Sequence, residues 1–212
     1  TLAVTAVLAA IALAVAGMSW MNPEITNLVP VLKSNWLIGH VAIITSSYGF
    51  LAMSALLGFI NLVLMIARNP RNDLHLSKTI QELAYTIELG IYIGLVLLTS
   101  GCFLGAVWAN ESWGRYWGWD PKEAWALVSI LVYASILHMR SIPKLNNRFA
   151  LSAAAMLGFS SIIMTFFGVN YYLSGLHSYA QGPPPPLPAA LYFVLPALAV
   201  VIGWAYHAEQ KK

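Results

Sequence analysis

The stretch Asn35–Ala67 reads NWLIGHVAIITSSYGFLAMSALLGFINLVLMIA, and it holds no Asp, Glu, Lys or Arg. A bilayer core about 30 Å thick needs roughly 20 helical residues to cross it. This run exceeds that length and stops at Arg68. Outward from it, Leu2–Trp20, Leu89–Ala109, Ala124–Met139, Phe149–Tyr172 and Ala189–Tyr206 have the same character. The fold class that follows is an all-α integral membrane protein. It is read as one transmembrane domain over residues 1–212, a bundle of about six transmembrane helices. Composition agrees: of 212 residues 59% are hydrophobic and 9% charged, against about 25% charged in a soluble domain. That excludes a soluble globule and a disordered chain. A single cysteine, Cys102, excludes a disulfide framework and a Cys-x-x-Cys centre and reads as core packing.

The net charge of +3 does not point to nucleic acid, because the basic residues sit between apolar runs. Arg68, Arg71, Lys78, Arg140, Lys144, Arg148, Lys211 and Lys212 fall on one side; Lys33, Arg115 and Lys122 fall on the other. By the positive-inside rule the first set is cytoplasmic, or stromal in a plastid. Leu2–Trp20 lacks a basic n-region and reads as a span, not a signal peptide, of a chain that begins inside a longer protein or was trimmed. Pro183–Pro186 with Pro188 cannot be helical and is expected to turn the chain into the last span.

Counting helical rise from the basic ends places two histidines outside. His40 lies eight residues beyond the outer boundary that Arg68 sets near Tyr48, and His177 nine beyond the boundary that Arg148 sets near Gly168. His138 lies near the inner face, with Glu88, which is expected to pair with a basic residue of the Arg68–Lys78 loop. His75 and His207, also inner, read as a solvated residue and a helix-end anchor.

The densest local signal is the external segment Trp108–Trp125, which carries five of the eight tryptophans, at 108, 113, 117, 119 and 125. An interfacial aromatic belt would explain tryptophan alone. A belt spreads over all helices, whereas these rings alternate with glycines and charges in one loop, which suits a large flat ligand. Trp113 and Trp117 share a face if the segment is helical. Iron porphyrin is flat, apolar and carboxylate-bearing, and its iron takes axial imidazoles. His40 and His177 would supply both, and Arg115 and Lys122 would meet the propionates. His138 is either a second haem ligand or a residue reaching the inner headgroups. Asp120 before Pro121 reads as an N-cap with Glu123 completing a capping box, or else as a proton-transfer group.

Trp113-Gly-Arg-Tyr-Trp117-Gly-Trp119-Asp120-Pro-Lys-Glu123-Ala-Trp125 resembles the WWD signature of haem-handling proteins of cytochrome c biogenesis. Its Gly-Trp-Asp-Pro-Lys-Glu continuation is similar to the CcsA/ResC branch of system II more than to CcmC and CcmF of system I. Gly175-Leu-His177-Ser-Tyr-Ala180 and Leu137-His138-Met-Arg140 also look like CcsA motifs.

That resemblance implies a holocytochrome c synthase, a cytochrome c haem-lyase, with haem b as cofactor. It implies His40 and His177 as external ligands to the haem iron, both catalytic, and His138 as a membrane ligand. The second inner ligand would come from a CcsB/ResB component. Trp113, Trp117, Trp119, Trp125 and Arg115 would hold the porphyrin, with Asp120 assisting. The implied partners are apocytochrome c with its Cys-x-x-Cys-His motif, a thioredoxin-like thiol reductant and membrane lipid. The implied location is the bacterial inner membrane with a periplasmic haem site; a thylakoid membrane fits the same pattern. The family has more spans than the six counted here, so the chain is expected to be the C-terminal part of a fused CcsBA polypeptide or to lack N-terminal helices. Competing readings are a haem transporter without ligation activity, a membrane electron-transfer cytochrome b, and a structural subunit.

Overall fold

Inside a bilayer, backbone N–H and C=O groups must satisfy one another, so an apolar run of this length is forced into helix. The computed structural model describes residues 2–18, 32–177, 187, 189 and 191–211, and among these every regular element is helical. The helices are α1 (Leu2–Ala16), α2 (Asn35–Ala67), α3 (Asp73–Trp113), α4 (Pro121–His138), α5 (Arg148–Tyr172) and α6 (Leu191–Gln210). Within α5 the backbone widens to a π-helix over Met164–Gly168 before a last α turn.

Five helices, α2 to α6, are long and apolar enough to cross a membrane, where six spans are expected. The 15 residues of α1 reach about 22 Å, short of a bilayer core. The end of Leu2–Trp20 and the prolines Pro183–Pro186 and Pro188 lie outside the described residues.

The third helix starts at Asp73 and not at Leu89, and ends at Trp113 and not at Ala109. Hydropathy marks only its lipid-facing part. Its first turns are amphipathic, burying Ile80, Ala84 and Ile87 while Lys78 and Glu82 pair in solvent at 3.8 Å. This length moves Glu88 about 22 Å along the helix from Asp73. Glu88 therefore pairs not with the Arg68–Lys78 loop but with Arg140 at 3.2 Å. Arg68 is taken by Glu209 of α6 at 2.6 Å.

Burial of Leu51, Leu57, Ile87, Ile91, Leu98 and Tyr133 forms the main core between α2, α3 and α4. Lipid is as apolar as leucine, so close packing and internal hydrogen bonds must hold these helices together. Asn61 supplies such bonds, donating to Ser152 Oγ at 2.9 Å and to the Ile80 carbonyl at 3.3 Å, which ties α2 to α5 and α3. Glycines supply the packing. A Cβ at Gly101 would stand 2.7 Å from the Ile44 side chain, and one at Gly105 would stand 2.6 Å from the His40 ring. The antiparallel α2 and α3 thus approach closely along a row of glycines, one of which stands beside His40.

Candidate functional site

The site is built on the start of α4. The tetrapeptide Asp120-Pro-Lys-Glu123 forms a full capping box: Asp120 Oδ2 accepts from the Lys122 N–H at 3.2 Å, and Glu123 Oε2 accepts from the Asp120 N–H at 3.2 Å and the Gly118 N–H at 2.7 Å. Pro121 at the first helical position loses nothing, because its N–H would be orphaned there anyway. The cap explains why these residue types stand in this order.

Asp120 does more than cap. Its Oδ1 accepts the Leu176 N–H at 2.6 Å, and its Oδ2 lies 2.9 Å from His177 Nδ1. A Cβ at Gly175 would collide with Asp120 Oδ1, so the Gly175-Leu-His177 turn can close onto the carboxylate only with glycine first. One buried carboxylate thereby fixes both a helix start and a histidine 57 positions later. Burial raises the Asp120 carboxyl, but hydrogen bonds from His177, Leu176 and Lys122 outweigh it, and the group lies below its ordinary value. Burial lowers His177, and the neighbouring Asp120 only partly offsets it. Imidazole is therefore favoured over imidazolium.

A carboxylate only accepts, so His177 Nδ1 carries the hydrogen and the neutral ring presents its lone pair at Nε2. His40 reaches the same state by another route. Its Nδ1 lies 2.7 Å from the Gly101 carbonyl, which again forces Nδ1–H and leaves the lone pair at Nε2. Both rings line one cavity of about 630 Å³ at the end of the bundle where α4 begins.

The cavity wall includes Trp108, Tyr116, Trp117, Tyr48 and Phe166, with Lys122 as a cation. Lys122 Nζ donates to Asn170 Oδ1 at 2.9 Å and lies 6.0 Å over the Phe166 ring. Cys102 also lines the cavity and is only half-buried, so it is not simple core packing.

The other residues singled out in the sequence divide. Trp113 ends α3, and Gly114 follows in the left-handed conformation at φ 70°, so Trp113 and Trp117 do not share a helical face. Trp113 instead stands edge-on to Trp108 and His177, at 4.7 and 4.9 Å between centroids, bracing the histidine. Trp117 is in the wall, and Trp119 stands edge-on to it at 5.7 Å. Trp119 is 71% exposed and holds a positive φ of 56° without being glycine, a costly conformation for an aromatic residue that concentrates at functional sites. Trp125 is outside the wall; its carbonyl accepts from Ser129 and Thr165. Arg115 folds over Gly118, and its Nη1 is buried without a hydrogen-bond partner among the described residues.

His138 ends α4 at the opposite end of the bundle. It is exposed, and its Nδ1 lies 2.7 Å from the Ala134 carbonyl, so it too presents Nε2. Sequence reasoning left Trp108 and Tyr116 out of the ring-holding set and missed the Asp120–His177 bond. The Gly175-Leu-His177 turn was a signal for the last, readable only once its contact with Asp120 was known.

The model of the family described as cytochrome C assembly protein matches residues 1–177. The chain belongs to this cytochrome c assembly family. It is 53% identical over 171 residues to "Protein NrfI" of Wolinella succinogenes, a match covering 81% of this chain and 19% of that protein. It is 40% identical over 173 residues to "Cytochrome c biogenesis protein CcsA" of Guillardia theta, covering 72% of this chain and 56% of that one. It is 41% identical over 179 residues to the CcsA protein of Prochlorococcus marinus strain MIT 9312, covering 73% and 57%. The chain thus spans about a fifth of the first relative and little more than half of the other two. It is an integral membrane protein of the CcsA/ResC type, with a role in cytochrome c biogenesis.

In this assembly protein Gly105 sets where His40 stands. Gly105→Ala is expected to displace the His40 ring without unfolding the bundle. Misplacement of a reacting group by about 1 Å costs up to about 100-fold. On the reading proposed below, in which His40 ligates haem, cytochrome c maturation should fall steeply while the protein level in the membrane stays constant; normal maturation would mean that the ring position is immaterial.

Proposed function

We propose that this chain presents haem b in the His40–His177 cavity for covalent attachment to apocytochrome c, as part of a holocytochrome c synthase acting with a CcsB/ResB component. The observation that carries the reading is that two imidazoles from separate elements, each with Nδ1 pinned so that Nε2 carries the lone pair, line one aromatic cavity. The fit extends to charge. Haem brings two carboxylates; Lys122 in the wall donates to a neutral acceptor, Asn170, and Arg115, outside the wall beside its residue Tyr116, has an Nη1 without a partner among the described residues. Cavities of about 300–1,000 Å³ suit cofactor-sized ligands.

Haem is the cargo, and the protein's share is positioning. His40 and His177 would hold the iron; Trp108, Tyr116 and Trp117 would confine the ring; Lys122 and Arg115 would orient the propionates. Each cysteine S–H of the Cys-x-x-Cys-His motif adds across a vinyl group. A C–S bond forms, the thiol proton goes to the other vinyl carbon, and no net oxidation occurs. The thiols must arrive reduced, which gives a thioredoxin-like reductant its place. Holding the reacting groups together removes much of the entropic barrier, worth several kcal/mol. The incoming cytochrome histidine would replace one of the two imidazoles, which would couple completion to release. His138, with its free Nε2, is the ligand for haem arriving from the other side, its second ligand supplied by the CcsB/ResB component. The distribution of basic residues supports a periplasmic cavity in a bacterial inner membrane, or the equivalent face of a thylakoid.

Export of haem without ligation would use the same cavity, and one experiment separates the two. Membranes holding this protein with its CcsB/ResB component are supplied with reduced apocytochrome c, and the product is extracted with acid acetone. Haem that stays with the cytochrome is expected. Haem that is delivered but fully extractable would reduce the function to export.

A further inference from the structure

At the end of the bundle opposite the haem cavity, α3, the end of α4, the start of α5 and the end of α6 frame a groove of about 920 Å³. Its floor is apolar, from Ala84, Ile136, Leu137 and Leu151, and its rim carries Arg140, Lys144 and Arg148. Two carboxylates also line it, and both are already engaged: Glu88 by Arg140 at 3.2 Å and Glu209 by Arg68 at 2.6 Å. Arg148 Nη2 donates to a neutral partner, Gln81 Oε1, at 3.2 Å. The rim therefore keeps net positive charge on Lys144 and Arg148, above an apolar floor. His138 itself is not among the lining residues, although its neighbours Leu137 and Met139 are.

An anionic head above an apolar tail is the shape and charge that such a groove complements. We propose that it seats an anionic phospholipid of the surrounding bilayer, its phosphate between Lys144 and Arg148 and its acyl chain along Ile136 and Leu137. Basic pockets between transmembrane helices recognise anionic headgroups in this way. The bound lipid would splint α5 and α6 against α3 and α4 at this end of the bundle. The inference does not depend on the haem reading.

The full protein, with its partner component, is purified in detergent, and its thermal midpoint is measured with phosphatidylglycerol, with phosphatidylcholine and with inorganic phosphate. Phosphatidylglycerol alone is expected to raise the midpoint and to copurify, as native mass spectrometry would show. Lys144→Gln with Arg148→Gln should weaken that binding by about fivefold for each cation removed, while Lys144→Arg with Arg148→Lys should retain it. The charge-conserving pair guards against a folding defect, since the Gln81 contact can be kept. Equal stabilisation by both lipids, by phosphate alone, or by neither would overturn the proposal. So would haem or another protein helix in the groove, either of which would leave the midpoint indifferent to headgroup charge.

Discussion

Replacing His40 or His177 with alanine should empty the cavity of haem, with a loss of affinity exceeding about 100-fold. The bound follows from a comparison: changing a group that only orients a ligating histidine already costs about 10- to 100-fold, so removing the ligand itself costs more. The two substitutions should be equivalent in kind, because both rings present Nε2 to one space. Each single variant should lose the low-spin spectrum of two nitrogen ligands. Added imidazole should restore part of the spectrum and part of the maturation, since it fits the space the side chain leaves. The measurements are the Soret and α bands per mole of purified protein, and the yield of covalent cytochrome. Either variant keeping the parental spectrum would remove that histidine from the iron. Rescue by imidazole also separates ligand loss from misfolding, which a small base cannot repair.

How much of this was open to reading before the coordinates depended on where the information lies along the chain. Asn35–Ala67 declares itself because lipid permits only helix there. The common height of His40 and His177 follows from rise per residue counted from Arg68 and Arg148. The capping box is local, and Asp120, Pro121 and Glu123 carry it in four successive positions. The misses are of a different sort. Residues 73–88 are polar enough to read as a loop, yet they are helical because Ile80, Ala84 and Ile87 pack on neighbours that sequence spacing does not reveal. The pairing of Glu88 with Arg140 depends on that hidden length. Trp113 and Trp117 suit one helical face on spacing, but Gly114 ends the helix between them, and only its left-handed φ shows this. The closeness of α2 to α3 at Gly101 and Gly105 is a property of the pair. Single-chain patterns give element and depth; the neighbour across the gap must be observed.

Asp120 is where local and long-range roles meet, and Asp120→Asn is expected to lower haem affinity by about 10- to 100-fold although no iron contact is removed. Its effect is on His177. An amide can cap α4, so the helix should survive; Asp120→Ala should cost about 0.5–2 kcal/mol more through the lost cap. The asparagine side chain can also turn its NH2 toward His177 Nδ1, which would favour the tautomer with the hydrogen on Nε2, the wrong one for ligation. Acidity provides the check. Burial already holds the His177 pKa below its ordinary value in the folded chain. The unfolded chain therefore takes up a proton first as pH falls through about 6.5, and this loop loses stability in that direction only below that value. Between pH 7 and 8 the imidazole is neutral in the parent. In the variant, loss of the carboxylate that partly offsets burial leaves it more so. Raising the pH should consequently fail to rescue Asp120→Asn, whereas a defect due to a protonated ring would recover. Asp120→Glu, which keeps charge but not reach, should fall between the two. Spectral titration of haem binding from pH 6 to 8 in the three variants tests this directly: recovery at high pH would show that Asp120 tunes protonation, and parental affinity in Asp120→Asn would show that the hydrogen bond to His177 has no part in holding the ligand.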